Sequence, residues 1–456
     1  GTTALDIAAS SVGGDLTLIG DNASGIVDSG TLTIGGDLSA TTGANNGVIN
    51  LGQLAVDGTI ALATNGNGAA TVVNDAGLNL SASTVGGALS ATATTGDIGD
   101  SGNLAITGAA TFITGANGSN IILDAAGNAF AAAVTMKAAT GGNQAFGHIT
   151  FVDSAAVKLH SSAGTNGDLF IDGSTDLAVG GNLSITATTG NITQGAAIAV
   201  TGTSTFTTSA SNATITLGSA NALAGAVTLS TTGSSGHATI DNGTTALDIA
   251  ASSVGGNLTL TGGNASGIVD SGTLTIGGTL TATTDDNSGV INLGTLAVDG
   301  TIALTTDTSG NATVVNDAGI TFAASTVRGT LSATATTGDI DGSSAALTIS
   351  GTSSFTTSAS NADITLSDTG NTFTGAVTLS TTGSTANATV DGGTTALDIA
   401  ASSVGGDLTL TGGHSSGIVD SGILTVGGNL TATTDDNSGV INLGQLAVDG
   451  TIALTT

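Results

Sequence analysis

Aspartate is the residue type most able to do chemistry here, because the 456-residue chain has 33 acidic residues and all of them are Asp. Many return at the same place in successive copies of a long repeat. The groups in register are Asp6, Asp248 and Asp398; Asp28, Asp270 and Asp420; and Asp57, Asp299 and Asp449. A column of carboxylates could ligate Ca²⁺, which takes about six to eight oxygen ligands. The metal-ligand candidates are Asp28, Asp57, Asp270 and Asp299.

Turn formation is the competing explanation for the same aspartates. An Asp side chain in a turn accepts hydrogen bonds from nearby backbone amides and needs no metal. The GGxGxD pattern of calcium-loaded β-rolls is absent, and Asn257 stands in the second copy where the first has Asp15. We therefore favour turn formation and expect no cofactor, with calcium as the alternative.

A second group of chemically versatile residues lies in residues 107–182. This stretch contains both lysines, the single methionine, two of the four histidines and five of the nine phenylalanines. Its histidines and Asp153 could bind a metal or a sugar. The candidate binding patch consists of Lys137, His148, Asp153, Lys158 and His160. The alternative is a diverged repeat with larger core residues and incidental polar residues on its surface.

Catalytic signatures are scarce, so we expect that the protein is not an enzyme. An inverting glycosidase needs two carboxyl groups about 6.5–9.5 Å apart, and the adjacent pair Asp285–Asp286 is matched by Gly43–Ala44 in the first copy. Lyases on parallel β-helices use Arg or Lys to stabilise developing negative charge, but Lys and Arg total 3. The GxSxG, HExxH and CxxC motifs are absent.

The composition argues for strands and against several classes of partner. A net charge of −30 at pH 7 opposes nucleic-acid binding, which needs a cationic face. Glu is absent and Lys and Arg are rare, although these residues fill helix surfaces, whereas the strand formers Val, Ile and Thr are abundant. No run of 18 apolar residues occurs, so we expect no membrane-spanning helix.

One long repeat organises the whole chain. The sequence GTTALDIAASSVGG occupies residues 1–14 and recurs unchanged at 243–256 and 393–406. These offsets of 242 and 150 residues mean that the first copy carries about 92 residues more, which arose by an internal duplication. The predicted segments of one continuous solenoid are 1–242, 243–392 and the partial copy 393–456.

Within each copy a shorter period of 22 residues predicts the coil of a parallel β-helix. Apolar residues alternate with Thr or Ser in short runs bounded by Gly-rich corners, which indicates strands with one face inward. Leu16, Leu38 and Ile60 are 22 residues apart, as are their counterparts in the later copies. The further anchors are Leu89, Leu183, Val227, Leu331, Phe355 and Val377.

These patterns predict an all-β fold, a β-solenoid of roughly 18–19 coils. Pro would remove a ladder donor, and the chain contains none. A β-sandwich array would also suit Gly turns and period-two strands, but the strands are short, the repeat is regular and aromatic residues make up 2% of the chain.

The repeats GGDLTL, GGNLTLTG and LSATATTGDI resemble those of large secreted bacterial adhesins of the filamentous-haemagglutinin-like, two-partner-secretion type. The resemblance is one of repeat style and covers nearly the whole chain. It implies a right-handed β-helix, export across an outer membrane and service as a stalk or fibre at the cell surface. No catalytic residues carry over from it.

Together these features predict a structural segment of a long extracellular fibre on a bacterial surface, with an adhesive role open. We expect end-to-end self-association or continuation of a longer chain, because both termini fall inside the repeat pattern. The first alternative is a module that binds glycans or other cell surfaces through residues 107–182. The second is a polysaccharide-processing β-helix enzyme.

Overall fold

The computed structural model of the chain consists of short β-strands joined by tight corners. It describes residues 3–44, 46–138, 147–159, 168–172, 177–285, 288–435 and 439–456. Within these ranges no residue is helical, which confirms the all-β prediction. The chain forms two compact units, Gly1–Thr232 and Gly233–Thr456, called unit 1 and unit 2 below. The predicted boundaries between sequence copies at 242 and 392 stay a prediction.

The strands of unit 1 are two to eight residues long. They are β1 (Leu5–Ile7), β2 (Ser10–Val12), β3 (Leu16–Gly20), β4 (Ile26–Asp28), β5 (Leu32–Ile34), β6 (Leu38–Thr42), β7 (Ile49–Val56), β8 (Thr59–Ala63), β9 (Ala70–Asn74), β10 (Leu78–Leu80), β11 (Ser83–Val85), β12 (Leu89–Ala93), β13 (Ile98–Asp100), β14 (Leu104–Ile106), β15 (Ala110–Thr114), β16 (Ile121–Leu123), β17 (Ala129–Phe130), β18 (Val134–Ala138), β19 (Ile149–Asp153), β20 (Val157–Leu159), β21 (Asp168–Asp172), β22 (Leu177–Val179), β23 (Leu183–Ala187), β24 (Ile192–Gln194), β25 (Ile198–Val200), β26 (Ser204–Ser211), β27 (Ile215–Leu217), β28 (Ala222–Leu223) and β29 (Val227–Thr232).

The strands of unit 2 have the same range of lengths. They are β30 (Ala238–Asp241), β31 (Leu247–Ile249), β32 (Ser252–Val254), β33 (Leu258–Gly262), β34 (Ile268–Asp270), β35 (Leu274–Ile276), β36 (Leu280–Thr284), β37 (Ile291–Val298), β38 (Thr301–Thr305), β39 (Ala312–Asn316), β40 (Ile320–Phe322), β41 (Ser325–Val327), β42 (Leu331–Ala335), β43 (Ile340–Asp341), β44 (Leu347–Ile349), β45 (Ser353–Ser360), β46 (Ile364–Leu366), β47 (Thr372–Phe373), β48 (Val377–Thr382), β49 (Ala388–Asp391), β50 (Leu397–Ile399), β51 (Ser402–Val404), β52 (Leu408–Gly412), β53 (Ile418–Asp420), β54 (Leu424–Val426), β55 (Leu430–Thr434), β56 (Ile441–Asn442), β57 (Leu446–Val448) and β58 (Ile452–Thr455).

Each unit is a parallel β-solenoid in which the chain returns over itself about every 22 residues. After β3 the chain passes through β4 and β5 and comes back as β6, which pairs in parallel with β3. In the same way β4 pairs with β1 and β5 pairs with β2. The two units together contain about 19 turns, in agreement with the predicted 18–19. A turn therefore stacks three short strands on those of the turn before it.

The register of the stack follows the predicted anchors. Leu38 pairs with both Leu16 and Ile60 in unit 1. In unit 2 the equivalent columns are Leu258–Leu280–Ile302 and Leu408–Leu430–Ile452. The 22-residue spacing read from the sequence is thus the length of one turn in these parts of the chain.

The anchor prediction is wrong at Phe355. Ser353 pairs with Leu331 and with Val377 and so occupies the anchor position, while Phe355 lies two residues further along β45. Both side chains face inward because strand faces alternate with period two, so apolar character alone could not distinguish the two positions. The Phe355 ring packs edge-on against Phe322 and Phe373, with centroid distances of 6.2 and 6.3 Å.

The interior of each unit is aliphatic but also holds asparagines with satisfied hydrogen bonds. Asn74 is 1% exposed; its Oδ1 accepts from the Val56 amide at 2.9 Å, and its Nδ2 donates to the Gly77 carbonyl at 2.7 Å. Asn316 repeats both bonds at the same distances in unit 2. Because an unpaired buried amide is costly, these asparagines hold the backbone of two turns in one arrangement.

A glycine is required at one corner of the repeat. Gly25 has φ 68°, and a Cβ there would collide with the carbonyl oxygen of Val48 in the next turn. Gly267 and Gly417 have the same conformation and the same clash in later copies. Only glycine adopts this left-handed conformation without strain at such close approach.

Among the described residues, no helix has the length and apolar character needed to cross a bilayer.

We expect Leu280→Ala to lower the free energy of unfolding by about 2–5 kcal/mol, because it leaves a cavity in the column between Leu258 and Ile302. Urea denaturation followed by circular dichroism measures the change. Thr281→Val is the matched control, since this side chain faces outward on the same strand and its replacement should cost less than about 0.5 kcal/mol. Equal losses for the two variants would contradict the inward stack.

Candidate functional site

Corners of successive turns carry side chains that each accept a hydrogen bond from the next turn. We call this run of side-chain acceptors the corner ladder. In unit 2 it passes through Asp339, Asp363, Asn387, Asp407, Asn429 and Thr451, with N···O distances of 2.8, 2.7, 2.9, 2.6 and 2.9 Å. In each step a carboxylate or amide oxygen accepts from the backbone amide of the equivalent residue one turn on.

The corner ladder explains why Asp and Asn alternate freely at these positions. The Asp15 carboxylate accepts from the Asp37 amide at 2.9 Å, and the Asn257 side-chain oxygen accepts from the Thr279 amide at 3.0 Å. Either oxygen satisfies an amide that would otherwise lack a partner at the corner. The Thr59 backbone amide and hydroxyl hold the pKa of the Asp37 carboxyl below its usual value, as expected for an acceptor that works as a carboxylate.

The aspartates predicted as metal ligands divide into two kinds. Asp28 accepts from the amides of Gly52 at 3.0 Å and Gln53 at 2.7 Å, one oxygen for each. Asp270 does the same for the amides of Gly294 and Thr295, at 2.9 and 2.7 Å. These contacts lie at the bulge one turn on and match the turn-forming interpretation.

Asp57 and Asp299 are different, because neither carboxylate makes a side-chain hydrogen bond in the described part of the chain. Asp57 lines a shallow groove of about 470 Å³ together with Asp97, whose carboxylate already accepts from Asn120 at 2.7 Å. Across the described ranges, no three His, Cys, Asp or Glu side chains come together as a metal-holding group. Calcium binding at these positions stays a prediction.

The structure removes one member, Asp153, from the surface of the patch predicted in residues 107–182. Lys137 and Lys158 point outward from β18 and β20, and His148 is exposed at the corner before β19. Asp153, at the end of β19, is 2% exposed and faces the core. His160 lies outside the described residues. Binding by the remaining side chains stays a prediction, but Asp153 does not belong to their surface.

Asp153 occupies an interior position of the kind that Asn74 and Asn316 occupy in other turns. Its Oδ1 accepts from the Phe130 amide at 3.2 Å. Burial raises the pKa of the Asp153 carboxyl, and backbone amides of Phe130, Ala155 and Ser154 oppose that rise. A carboxylate cannot donate as the asparagine Nδ2 does, so the charged form is the less suitable occupant.

His148 is a rung of the corner ladder. Its backbone amide donates to Asn120 Oδ1 at 2.6 Å, and its ring Nδ1 accepts from the Asn182 amide at 2.9 Å. The accepting Nδ1 must be unprotonated, so the neutral ring carries its proton on Nε2. His237 accepts in the same way from the Asn257 amide at 2.8 Å.

These histidines replace asparagine as acceptors, a role that the sequence analysis missed. The signal was present, because Asn387 stands in the next copy where His237 stands. His414 confirms the pattern: its Nδ1 accepts from the Ser416 amide at 3.0 Å, as Asn264 Oδ1 accepts from the Ser266 amide at 2.9 Å.

A family model described as repeats of unknown function (DUF5649) matches residues 67–137, 148–230 and 309–380. Each matched segment contains one copy of the LSATATTGDI-type sequence, so the comparison supports the repeat structure. No curated protein and no solved structure matches the chain.

We expect Asp153→Asn to stabilise the protein at neutral pH by about 1–3 kcal/mol, because it removes a buried charge and restores a donor. Because the folded pKa of Asp153 is raised, the contribution of this residue to wild-type stability is greatest below the ordinary Asp value of about 3.9 and falls as pH rises through the folded pKa. The advantage of the variant should therefore shrink on acidification. Urea titrations between pH 4 and pH 8 measure it.

Asp57→Asn is the control for that series, since the Asp57 side chain is exposed and has no backbone donor to satisfy. It should show no comparable gain. An Asp153→Asn variant less stable than wild type at pH 7 would contradict the interpretation of this carboxylate.

We expect Asp270→Ala to destabilise the protein by about 1–3 kcal/mol, because two backbone amides lose a charged acceptor. The loss should be the same with 5 mM Ca²⁺ (about 5 × 10³ times a micromolar Kd) or with a chelator. Thermal unfolding in both buffers measures it. A melting temperature that rises with Ca²⁺ in the wild type alone would instead establish Asp270 as a calcium ligand.

Proposed function

We propose that the protein is a structural segment of a long extracellular fibre or stalk on a bacterial surface, without enzymatic activity. The observation that carries the proposal is the axial bonding of the turns. Strand amides, corner amides and interior asparagines all bond to the turn before or after, as Asp363 and Asp407 do in the corner ladder. Such an arrangement extends by repeating one unit, and stability accumulates from neighbouring turns.

The outward surface supports the same proposal. Thr and Ser occupy the outward positions of the strands, for example Thr259 and Thr281 on paired strands. With a net charge of −30, fibres of this kind repel one another and stay dispersed. The carboxylates of Asp28 and Asp270 accept hydrogen bonds from backbone amides, which favours a structural role for them over acid–base catalysis.

A fibre of this type grows through a longer chain or through copies that stack along the axis. Successive turns pair through parallel strands, and such an arrangement extends by adding turns of the same kind. We therefore propose another copy of the chain, or further repeats of the same kind, as the principal partner.

We expect antibodies against the protein to label intact, unpermeabilised cells that make it, and to decorate fibres in electron micrographs. Cryo-electron micrographs of those fibres should show a layer line near 4.8 Å along the axis, the spacing of stacked strands. Label that appears only after permeabilisation would contradict the extracellular location. Labelled particles without that layer line would contradict the fibre.

A further inference from the structure

A polar trough crosses three successive turns of unit 1. It has a volume of about 300 Å³ and is lined by the side chains of His148, Thr150, Asn182, Ser184, Thr203 and Thr205, with Ile149 and Leu183 below them. No charged side chain lines it. His148, Asn182 and Thr203 are exposed, so the trough is open to solvent along its length.

Two parallel rows of polar groups form the trough. The corner row is His148, Asn182 and Thr203, held in place because the Asn182 and Thr203 amides donate to the side chains before them at 2.9 and 3.0 Å. The strand row is Thr150, Ser184 and Thr205, which are paired in register on adjacent strands. Successive members of each row are about 4.8 Å apart, the spacing of paired strands.

Unit 2 builds the same arrangement from a different part of the sequence. Its corner row is His237, Asn257 and Thr279, with amide donations of 2.8 and 3.0 Å. Its strand row is Thr239, Thr259 and Thr281. The pattern His-x-Thr, Asn-Leu-Ser/Thr, Thr-x-Thr thus occurs on three successive turns in each unit, with the histidine in the same hydrogen-bonded role.

The chemistry of the two rows defines what they can hold. Because Nδ1 of each histidine accepts from the backbone, Nε2–H is the donor that the ring presents to solvent. The hydroxyl groups of the Thr and Ser residues both donate and accept. A matching ligand is neutral, rich in hydroxyl groups and extended along the axis, with a repeat close to the turn spacing. A neutral, β-linked polysaccharide in an extended conformation is rich in hydroxyl groups and matches this description.

The charge of the chain separates this ligand from an anionic one. A net charge of −30 repels sulfated or uronic-acid polymers, and the trough supplies no cation to offset it. The chain has no Trp or Tyr to stack on a sugar ring, so the affinity of one trough is low, and binding gains from several troughs on one fibre.

We propose that each trough binds a neutral β-linked polysaccharide chain laid across three turns. The proposal goes beyond the structural role and does not depend on it, because a single protein molecule carries both troughs. It retains only His148 from the patch predicted in residues 107–182.

Titration of the full 456-residue protein with cellohexaose and chitohexaose, followed by ¹H–¹⁵N NMR, tests the proposal. We expect chemical-shift changes at the amides of the two troughs. In the double variant His148→Asp, His237→Asp the affinity should fall about five- to tenfold, because each trough loses one donor. Aspartate preserves the corner ladder, as Asp407 shows by accepting from the Asn429 amide, so the melting temperature should not change.

Thr409→Val is the matched control. Thr409 follows Asp407 in a third, histidine-free version of the arrangement, and its loss should leave binding unchanged. Three results would overturn the proposal: no shift changes with either probe at millimolar concentration, equal affinity of the double variant and the wild type, or binding of heparin in preference to both neutral probes.

Discussion

The structure depends on one constraint: the backbone amides at the corners need hydrogen-bond acceptors, and many of these acceptors lie one turn away along the axis. Strand amides donate to the carbonyl groups of the paired strands. Some corner amides likewise donate to backbone carbonyls, as Gly58 does to Gly36, and others donate to side chains, such as Thr59 to Asp37 and Asn429 to Asp407. This need accounts for the abundance of Asp and Asn at the corners, since both side chains offer an oxygen at the same reach.

The same need for acceptors explains why histidines occur at two corners, where their Nδ1 atoms accept from backbone amides. An imidazole that accepts through Nδ1 replaces Asn at a corner without breaking the ladder, and its Nε2–H then faces solvent beside outward hydroxyl groups. Within the described ranges, His148 and His237 do this between successive turns. A structural substitution thereby places an imidazole Nε2–H donor beside those hydroxyl groups, which links the proposed trough to the hydrogen bonding that holds the turns together.

The sequence predicted the fold well where spacing carries the information. Leu16, Leu38 and Ile60 are paired as their 22-residue period indicates, whereas Phe355 was misplaced because two inward positions of one strand look alike. The burial of Asp153 could have been found, since period two from Ile149 places it inward. The troughs could not be predicted, because they require the register of three turns whose corners are separated by 20 to 34 residues.

Residue-resolved hydrogen exchange at the corner amides tests the central claim most directly. The amides of Asn182, Asn257 and Asn429 donate to His148, His237 and Asp407, so they should be protected to the same degree as the amide of Leu260 inside a strand. Protection of this kind reports opening of the surrounding structure. Exchange of these three amides at the rate of freely exposed amides would contradict the account.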